Sequence, residues 1–470
     1  MVDFSVILQA PEIRALVQEN VIERAFHDAL FPRTLFRGEA TAVPWPAGVG
    51  DTQIFSAPGL IPIDARPLSP GQDPDPVTYP VEQWMSSILQ YSSTIDTHMP
   101  TSINAIANLF LRNTQQLGLQ AGQTLNRTVR NRTYGAALSG NTVADGALSA
   151  STTLRVKHLN GFTRARNPTL SGTNAVRFEA VSATNPLTIH VLDTSGTPAD
   201  ATRSVVGFTP DTAGDEVGPG TLTLSAALTT TDRAYVLAAD KTTIQRVGGG
   251  STIDSLTAST DIPTLANIRA VVASMWQDNV PEHPDGRFHC HADPVSQSLV
   301  FKDTEFQRLL TALPDYYMYR QFALGELLGT VVYRNSECPI PETVTGGSTA
   351  AYDARDPFPG ELWTTGATTG ARVHRMLFSG QGGVLEYYQD LSALITEAGV
   401  TGLVADPRIV NNGIEVYTDR IQFIIRAPLN RLQDNVATSW KFIGDWPCRT
   451  DAATGSAARY KRFQVIEHTE

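Results

Sequence analysis

Seven prolines, at positions 58, 62, 67, 70, 74, 76 and 80, fall within one short stretch of the chain. Proline fixes φ and removes a backbone donor, so this density excludes both helix interior and central strand. Pro44, Pro46, Gly48 and Gly50 lead into a short strand-like run at 53–55 on one side. On the other, residues 81–95 alternate polar and apolar side chains around Trp84, Ile88 and Tyr91. Two β arms with a proline-rich tip describe a long hairpin-like loop. It carries too little apolar surface to be stable alone and must lean on another surface.

Helical period flanks this loop. Residues 11–31 carry an apolar stripe of Ile13, Leu16, Val17, Val21, Ala25 and Ala29 behind Pro11 and Glu12, which suit a helix start. Residues 101–138 give the longest helical signal. Thr101 or Ser102 can cap it after Pro100, and Ile103, Ile106, Phe110, Leu117, Ala121 and Leu125 recur at three- and four-residue steps. Arg112, Arg127, Arg130 and Arg132 lie largely off that stripe. Unbroken, the helix spans about 50 Å, with Gly118 and Gly122 as the places to bend. Asn126-Arg127-Thr128 and Asn131-Arg132-Thr133 match the glycosylation pattern but sit within this helix, and are read as chance.

From 140 to 261 the composition shifts to Thr, Ser, Gly, Ala and Val. Short β-like runs recur at 154–159, 176–181, 187–192, 204–208, 221–225, 234–238 and 243–247, parted by turns such as Asn185-Pro186, Ser195-Gly196 and Gly218-Pro219-Gly220. This predicts a small antiparallel β domain spliced between two helices, with hinges at Ser139-Gly140-Asn141 and Gly248-Gly249-Gly250-Ser251. Next comes a helix (263–277), a strand (287–291), Ala292-Asp293-Pro294, a second helix (302–310) and a Gly-bearing apolar run (325–332). A Gly- and Thr-rich loop at 340–370 precedes strand-like runs at 372–378, 384–388, 413–427, 437–445 and 463–466.

The formal net charge of −11 argues against a surface that grips phosphates. Cys290, Cys338 and Cys448 are far apart and odd in number, so reduced, partly buried thiols are expected rather than a disulfide framework or a Cys-x-x-Cys site. Asp3, Glu12 and Arg14 leave no room for the apolar core of a signal peptide. No uncharged run approaches the ~18–20 apolar residues of a membrane span, so no membrane partner is expected. Lys157, Lys241, Lys302, Lys441 and Lys461 are the only lysines, and arginine carries nearly all the positive charge. Its planar, bidentate group suits interfaces, although coding bias produces the same composition.

No chemistry is nominated. His289-Cys290-His291, with His283 nearby, is the best metal candidate, since alternate strand residues share a face. No second ligand cluster completes a set, and the run is read as a half-buried strand. Gly380-Gln381-Gly382-Gly383 lacks the Lys-Ser/Thr ending of a phosphate loop and reads as a hairpin turn. Glu282 and Asp285 sit beside prolines with no sign of a pocket, and no serine lies in a Gly-x-Ser-x-Gly elbow. The expectation is no catalytic, cofactor-binding or metal residue, no cofactor, and no enzyme.

The order of elements resembles the Hong Kong 97-type capsid proteins of tailed bacteriophages over essentially the whole chain. The local motifs are Arg287-Phe288-His289-Cys290-His291-Ala292-Asp293-Pro294, similar to a family strand ending in Asn-Pro or His-Pro, and Gly325-Glu326-Leu327-Leu328-Gly329, similar to the turn before the next strand. The resemblance implies an α+β fold: N-terminal arm 1–50, extended β loop 51–98, spine helix of the peripheral domain 99–140, inserted antiparallel β domain 141–262, axial domain 263–400, and C-terminal strands of the peripheral domain 401–470. It implies a major capsid protein of the virion, assembled in a bacterial host cytoplasm into hexamers and pentamers of itself around double-stranded DNA. A scaffolding protein, a portal and a cementing or decoration protein are the other implied partners. Some members cross-link through a loop lysine, whereas residues 51–98 contain none, so a non-covalent shell is expected. An encapsulin-like compartment, a tail-tube subunit and a secreted β-rich polysaccharide-active protein are the alternatives.

Overall fold

The computed structural model describes residues 25–26, 35–46, 50–58, 63, 65, 67–68, 70–74, 81–98, 109–167, 175–199, 202–257, 260–312, 325–339, 356, 358, 371–389, 409–410, 413–418, 420–426, 435–450 and 460–470. Of the expected helix 11–31 only Ala25 and Phe26 are included, and they are helical; its remainder, residues 101–108 and nearly all of the 340–370 loop lie outside the described residues. The fold is α+β and rich in strands. It divides into two compact units, Met1–Gln53 with Met85–Val129 and Val384–Pro447, and Ile54–Trp84 with Arg130–Gly383 and Cys448–Glu470.

The first unit is organised on the strand Asn435–Asp445, whose alternating burial places Val436, Trp440 and Phe442 in the core. Leu89–His98 pairs antiparallel along one edge of it, from Asn435 opposite His98 to Gly444 opposite Leu89. Ile421–Arg426 and the end of Leu385–Tyr388 pair along the other. Thr41–Pro44, Gly413–Thr418 and Ile409–Val410 complete seven strands among the described residues. Helix Leu109–Ala137 is continuous through Gly118 and Gly122, contrary to the expected bend, and passes into the second unit at Arg130. Within the first unit it buries Phe110, Leu117, Ala121 and Leu125, the predicted stripe. Asn126 Oδ1 accepts the amides of Phe36 and Arg37 (3.0 and 3.3 Å), tying helix Leu35–Glu39 to the long helix.

The second unit contains a closed barrel. Its strands run in the order Asn141–Val143, Tyr235–Ala238, Leu187–Leu192, Arg203–Pro210, Gly220–Thr230 and Leu148–Val156. A bridge between Ala144 and Val156, with Lys157 N–H donating to Val143 O (3.0 Å) and Asp145 N–H to Arg155 O (3.0 Å), joins the last strand to the first. Closure removes the exposed edges of a sheet. Phe162, Leu154, Ile189, Val205, Leu222 and Val236 are among the residues that fill it.

Two strands expected in this insert lie elsewhere. Ala175–Ala180 pairs with Arg164–Asn167 and, in parallel, with Val81–Glu82, in a four-stranded sheet that also holds Thr52–Pro58. The proline-rich loop is thus a hairpin of Thr52–Pro58 and Val81–Ser87. Its expected second arm, 81–95, breaks at Ile88, and Leu89–His98 joins a different sheet. Ile244–Arg246 leaves the insert to pair in parallel with Phe463–Thr469.

A third sheet in this unit has the order Ile244–Arg246, Phe463–Thr469, Val373–Ser379, Phe288–Ala292, Thr330–Arg334, Gly325–Leu327. Phe463–Thr469, expected among the closing strands of the peripheral domain, is therefore an inner strand here, buried along its whole length. Helix Leu265–Gln277 starts at a capping box of Thr264 and Asn267 and packs Ile268, Val271, Val272 and Met275 into this core. The turn at Leu328-Gly329 has φ of 52° and 79°, as a tight two-residue hairpin requires.

Candidate functional site

The buried charges of the second unit gather where barrel and third sheet meet. Glu467, on a fully buried strand, receives Arg375 Nε on Oε1 (2.9 Å) and pairs with Arg246 Nε through Oε2 (2.9 Å). Burial raises a carboxyl pKa, but the two guanidinium groups outweigh it and hold Glu467 below the usual range. Arg246 also donates to Ser251 O (2.8 Å) and to the hydroxyl of Tyr235, and lies 4.7 Å above the Tyr235 ring. Tyr235 belongs to the barrel and Glu467 to the sheet, so this centre fastens one to the other.

Asp293 Oδ2 accepts the amides of Val295 and Ser296 (3.1 and 3.3 Å) and so caps helix Pro294–Val300. The same carboxylate meets His374 Nδ1 (3.1 Å), and its Oδ1 meets the Ser296 hydroxyl. Ser296 Oγ also lies 2.8 Å from His468 Nε2. Burial pushes His468 down to about 4. Ser296, His374 and His468 are all inaccessible, so the arrangement works as a structural staple.

The first unit has a matching ionic centre. Glu386 accepts from Arg37 Nη2 (2.9 Å) and Nε (3.1 Å), Arg420 Nη1 (2.7 Å) and Trp446 Nε1 (3.3 Å). It too is held below the carboxylate range, burial being outweighed by Arg37 and Arg420. Arginine, not lysine, supplies every cation in both centres, as suits bidentate geometry.

Of the residues weighed from the sequence, the three histidines lie together and the rest are scattered. His289 and His291 do share a face, both packing against Tyr333 (centroids 5.1 and 5.7 Å apart). Each bonds elsewhere: His289 Nε2 to Asp285 (3.1 Å), His291 Nδ1 to Asn335 (3.3 Å). His283 stacks on His289 at 3.8 Å. Glu282 accepts from Trp276 Nε1 (2.8 Å) and does not pair with Asp285. The Gly380–Gly383 turn is not a hairpin, because the strands on either side belong to different sheets. Its glycines answer to close packing: a Cβ on Gly380 would stand 2.4 Å from Val280 Cγ1, and one on Gly383 2.5 Å from the Phe463 ring. Cys290 and Cys338 are buried and Cys448 partly so, all unbridged; burial pushes the Cys338 thiol up to about 12. Asn126 and Asn131, the two glycosylation matches, are buried in the helix.

Sequence reasoning missed both ionic centres. Glu386 and Arg37 are separated by most of the chain and Glu467 from Arg246 by nearly half of it, and no spacing signals such a pair. The shortage of lysine was the only hint.

Exposed large apolar side chains form a short set among the described residues. Ile54, Ile63, Leu68, Met85 and Leu89 lie on or beside the proline-rich loop, and Trp276 and Leu328 near the third sheet. Ile63 is 96% exposed and Leu68 57%.

No family model and no curated protein matches the sequence. Among solved structures, the chain is similar to the capsid of Ralstonia phage GP4, at 12% identity over 94% of this chain and 90% of that one, with a TM-score of 0.47. It is similar to the cyanophage Pam1 capsid at 11% identity, over 90% and 86% of the two chains, with a TM-score of 0.47. For the capsid of cyanophage P-SCSP1u the values are 9%, 93%, 89% and 0.45.

Proposed function

We propose that this chain is a major capsid protein of the Hong Kong 97 type, a tile that assembles with copies of itself into the icosahedral head of a tailed phage. The observation that carries this reading is the proline-rich loop. It holds Ile63 and Leu68 out in solvent, on a hairpin with little core of its own. Exposed apolar groups on such a reach gain about 25 cal/mol per Å² if a second copy covers them. The remaining architecture supports it: long helix, long paired strands at Leu89–His98 and Asn435–Asp445, spliced barrel, and a separate sheet with its own helices.

Hexamers and pentamers are the expected capsomers, held without covalent links because the loop offers no lysine. Double-stranded DNA is the expected cargo, with scaffolding, portal and cementing proteins as partners and assembly in the host cytoplasm. No catalytic step is assigned to the chain.

Electron micrographs of the expressed protein test the reading. Closed polyhedral shells are expected, tubes would favour a tail subunit, and dispersed monomers under all assembly conditions would sink both. Shells boiled in detergent should release a single species near the chain mass of 50.8 kDa. A ladder of multimers would overturn the non-covalent shell.

A further inference from the structure

Helix Leu109–Ala137 contains four arginines and neither aspartate nor glutamate, in a chain with 47 acidic against 36 basic residues. Arg130 is buried and pairs with Asp356 (2.7 Å), whereas Arg132 is exposed but lies about 200° around the helix from Arg112, off the face described next. Over Leu109–Val129 the exposed positions are Arg112, Gln115, Gln116, Gln120, Gln123 and Arg127. At 3.6 residues per turn these six share a sector of about 140°, opposite the face that buries Phe110, Leu117, Ala121 and Leu125. Every one of the six carries N–H donors. None is a carboxylate and none is apolar.

We infer that this face is the surface by which the chain meets the phosphate backbone of duplex nucleic acid. The inference rests on the shell reading and adds to it the side of the tile that faces the cargo. Guanidinium and amide donors contact phosphate oxygens without reading bases, as a container for any sequence requires. Arg112 and Arg127 are about 22 Å apart along the axis, so together they follow a backbone rather than clamp one phosphate. An acidic protein segment is the rival polyanion, but a docked helix wants an apolar seam, and this stripe has none. Two arginines give weak binding per chain, with a salt slope of about −2. Repetition over many copies multiplies that contact, while each copy releases the duplex easily.

The test uses the full chain before assembly, with a short random-sequence duplex followed by fluorescence anisotropy at low salt. Wild type should bind weakly with a log–log salt slope of about −2, and R112Q/R127Q should lose about tenfold or more in affinity and bring the slope towards zero. The control pair R269Q/R308Q, on exposed positions of other helices, should bind as wild type does. Circular dichroism of each variant establishes that the helix persists. Unchanged binding by R112Q/R127Q, or equal loss in the control pair, overturns the inference. So would binding of polyglutamate through Arg112 and Arg127 with none of duplex, which assigns the face to an acidic protein. Micrographs of the same proteins separate the two ideas: shells with duplex binding independent of this helix leave the shell reading standing. Duplex binding through the helix without shells in wild type overturns that reading instead.

Discussion

Glu467 stands inside the second unit between Arg246 and Arg375, and its worth lies in keeping two buried cations neutralised. Removing it strands both, so Glu467→Ala should cost about 3–5 kcal/mol in urea unfolding of the full chain. Glu467→Gln should cost less, because the amide oxygen still accepts one hydrogen bond. Equal losses would show that packing, not charge, holds the site. The buried histidines have a separate signature. Burial, and for His158 also Arg375, depresses His158 to about 3, and burial depresses His468 to about 4. In the unfolded chain both titrate near 6.5. As pH falls below about 6.5 the unfolded state binds protons that the folded state refuses, so stability drops with acidification until the folded values are reached. From pH 6.5 to 5 each histidine should remove about 2 kcal/mol. The depressed carboxyls of Glu467, Glu386 and Asp293 act with the same sign but in a lower window. Their stabilisation is complete above the unfolded value of about 4.3 and is lost as pH falls through the folded one. His158 Nδ1 has no hydrogen-bond partner. His158→Leu should therefore be near neutral at pH 7 and should flatten the dependence between pH 6.5 and 5. Thermal midpoints at pH 7 and pH 5 check this, and an unaltered difference would refute it. None of this was legible in the sequence, where a histidine's burial and a carboxylate's partner depend on strands distant along the chain.

Periodicity was most reliable where an element packs on its own pattern. The stripe Phe110, Leu117, Ala121 and Leu125 predicted the buried face of the long helix, and the helix expected at 263–277 is observed as Leu265–Gln277. It failed where pairing is non-local. The polar–apolar pattern over 81–95 reads as one arm, yet at Ile88 the chain leaves one sheet for another, because the partner strand Asn435–Asp445 is chosen by register and not by pattern. Likewise Ala175–Ala180 and Ile244–Arg246 have the composition of the insert but pair outside its barrel. The barrel has sharper limits than composition implied. Thr242 N–H donates to Ser139 O (3.1 Å), so the chain enters and leaves at adjacent points. A closed wall and a filled interior make this element self-sufficient. A fragment covering 139–243 should unfold cooperatively with heat and show protected amides in Leu187–Leu192 and Gly220–Thr230. A molten fragment lacking near-ultraviolet dichroism would show that Tyr235 and Val143, which pack with Ile253, Leu256 and Val373 outside the barrel, are needed for it to fold.

On the shell reading proposed above, the decisive balance for the whole molecule is between the folded monomer and the assembled shell. Large apolar side chains confined to a core stabilise the monomer; those left on a loop stabilise only what covers them. Ile63 and Leu68 are exposed and have no part in the three hydrophobic cores of the second unit. Replacing both by serine should leave the thermal midpoint of the unassembled chain within about 1 °C, as surface substitutions usually do. Full burial of each side chain in a neighbour is worth about 1.5–3 kcal/mol. Part of that is spent on ordering the loop, and a net loss of about 1.4 kcal/mol per copy is already tenfold in an association constant. I63S/L68S should therefore raise the concentration needed for shell formation at least tenfold, measured by light scattering and sedimentation, while the same exchange at exposed Leu328 tests whether the effect belongs to the loop. Assembly at the wild-type concentration would remove the loop from the interface. A fall in the monomer midpoint would instead place both side chains in the core of their own subunit, and the reach of the loop would have to be explained by something other than a neighbouring copy.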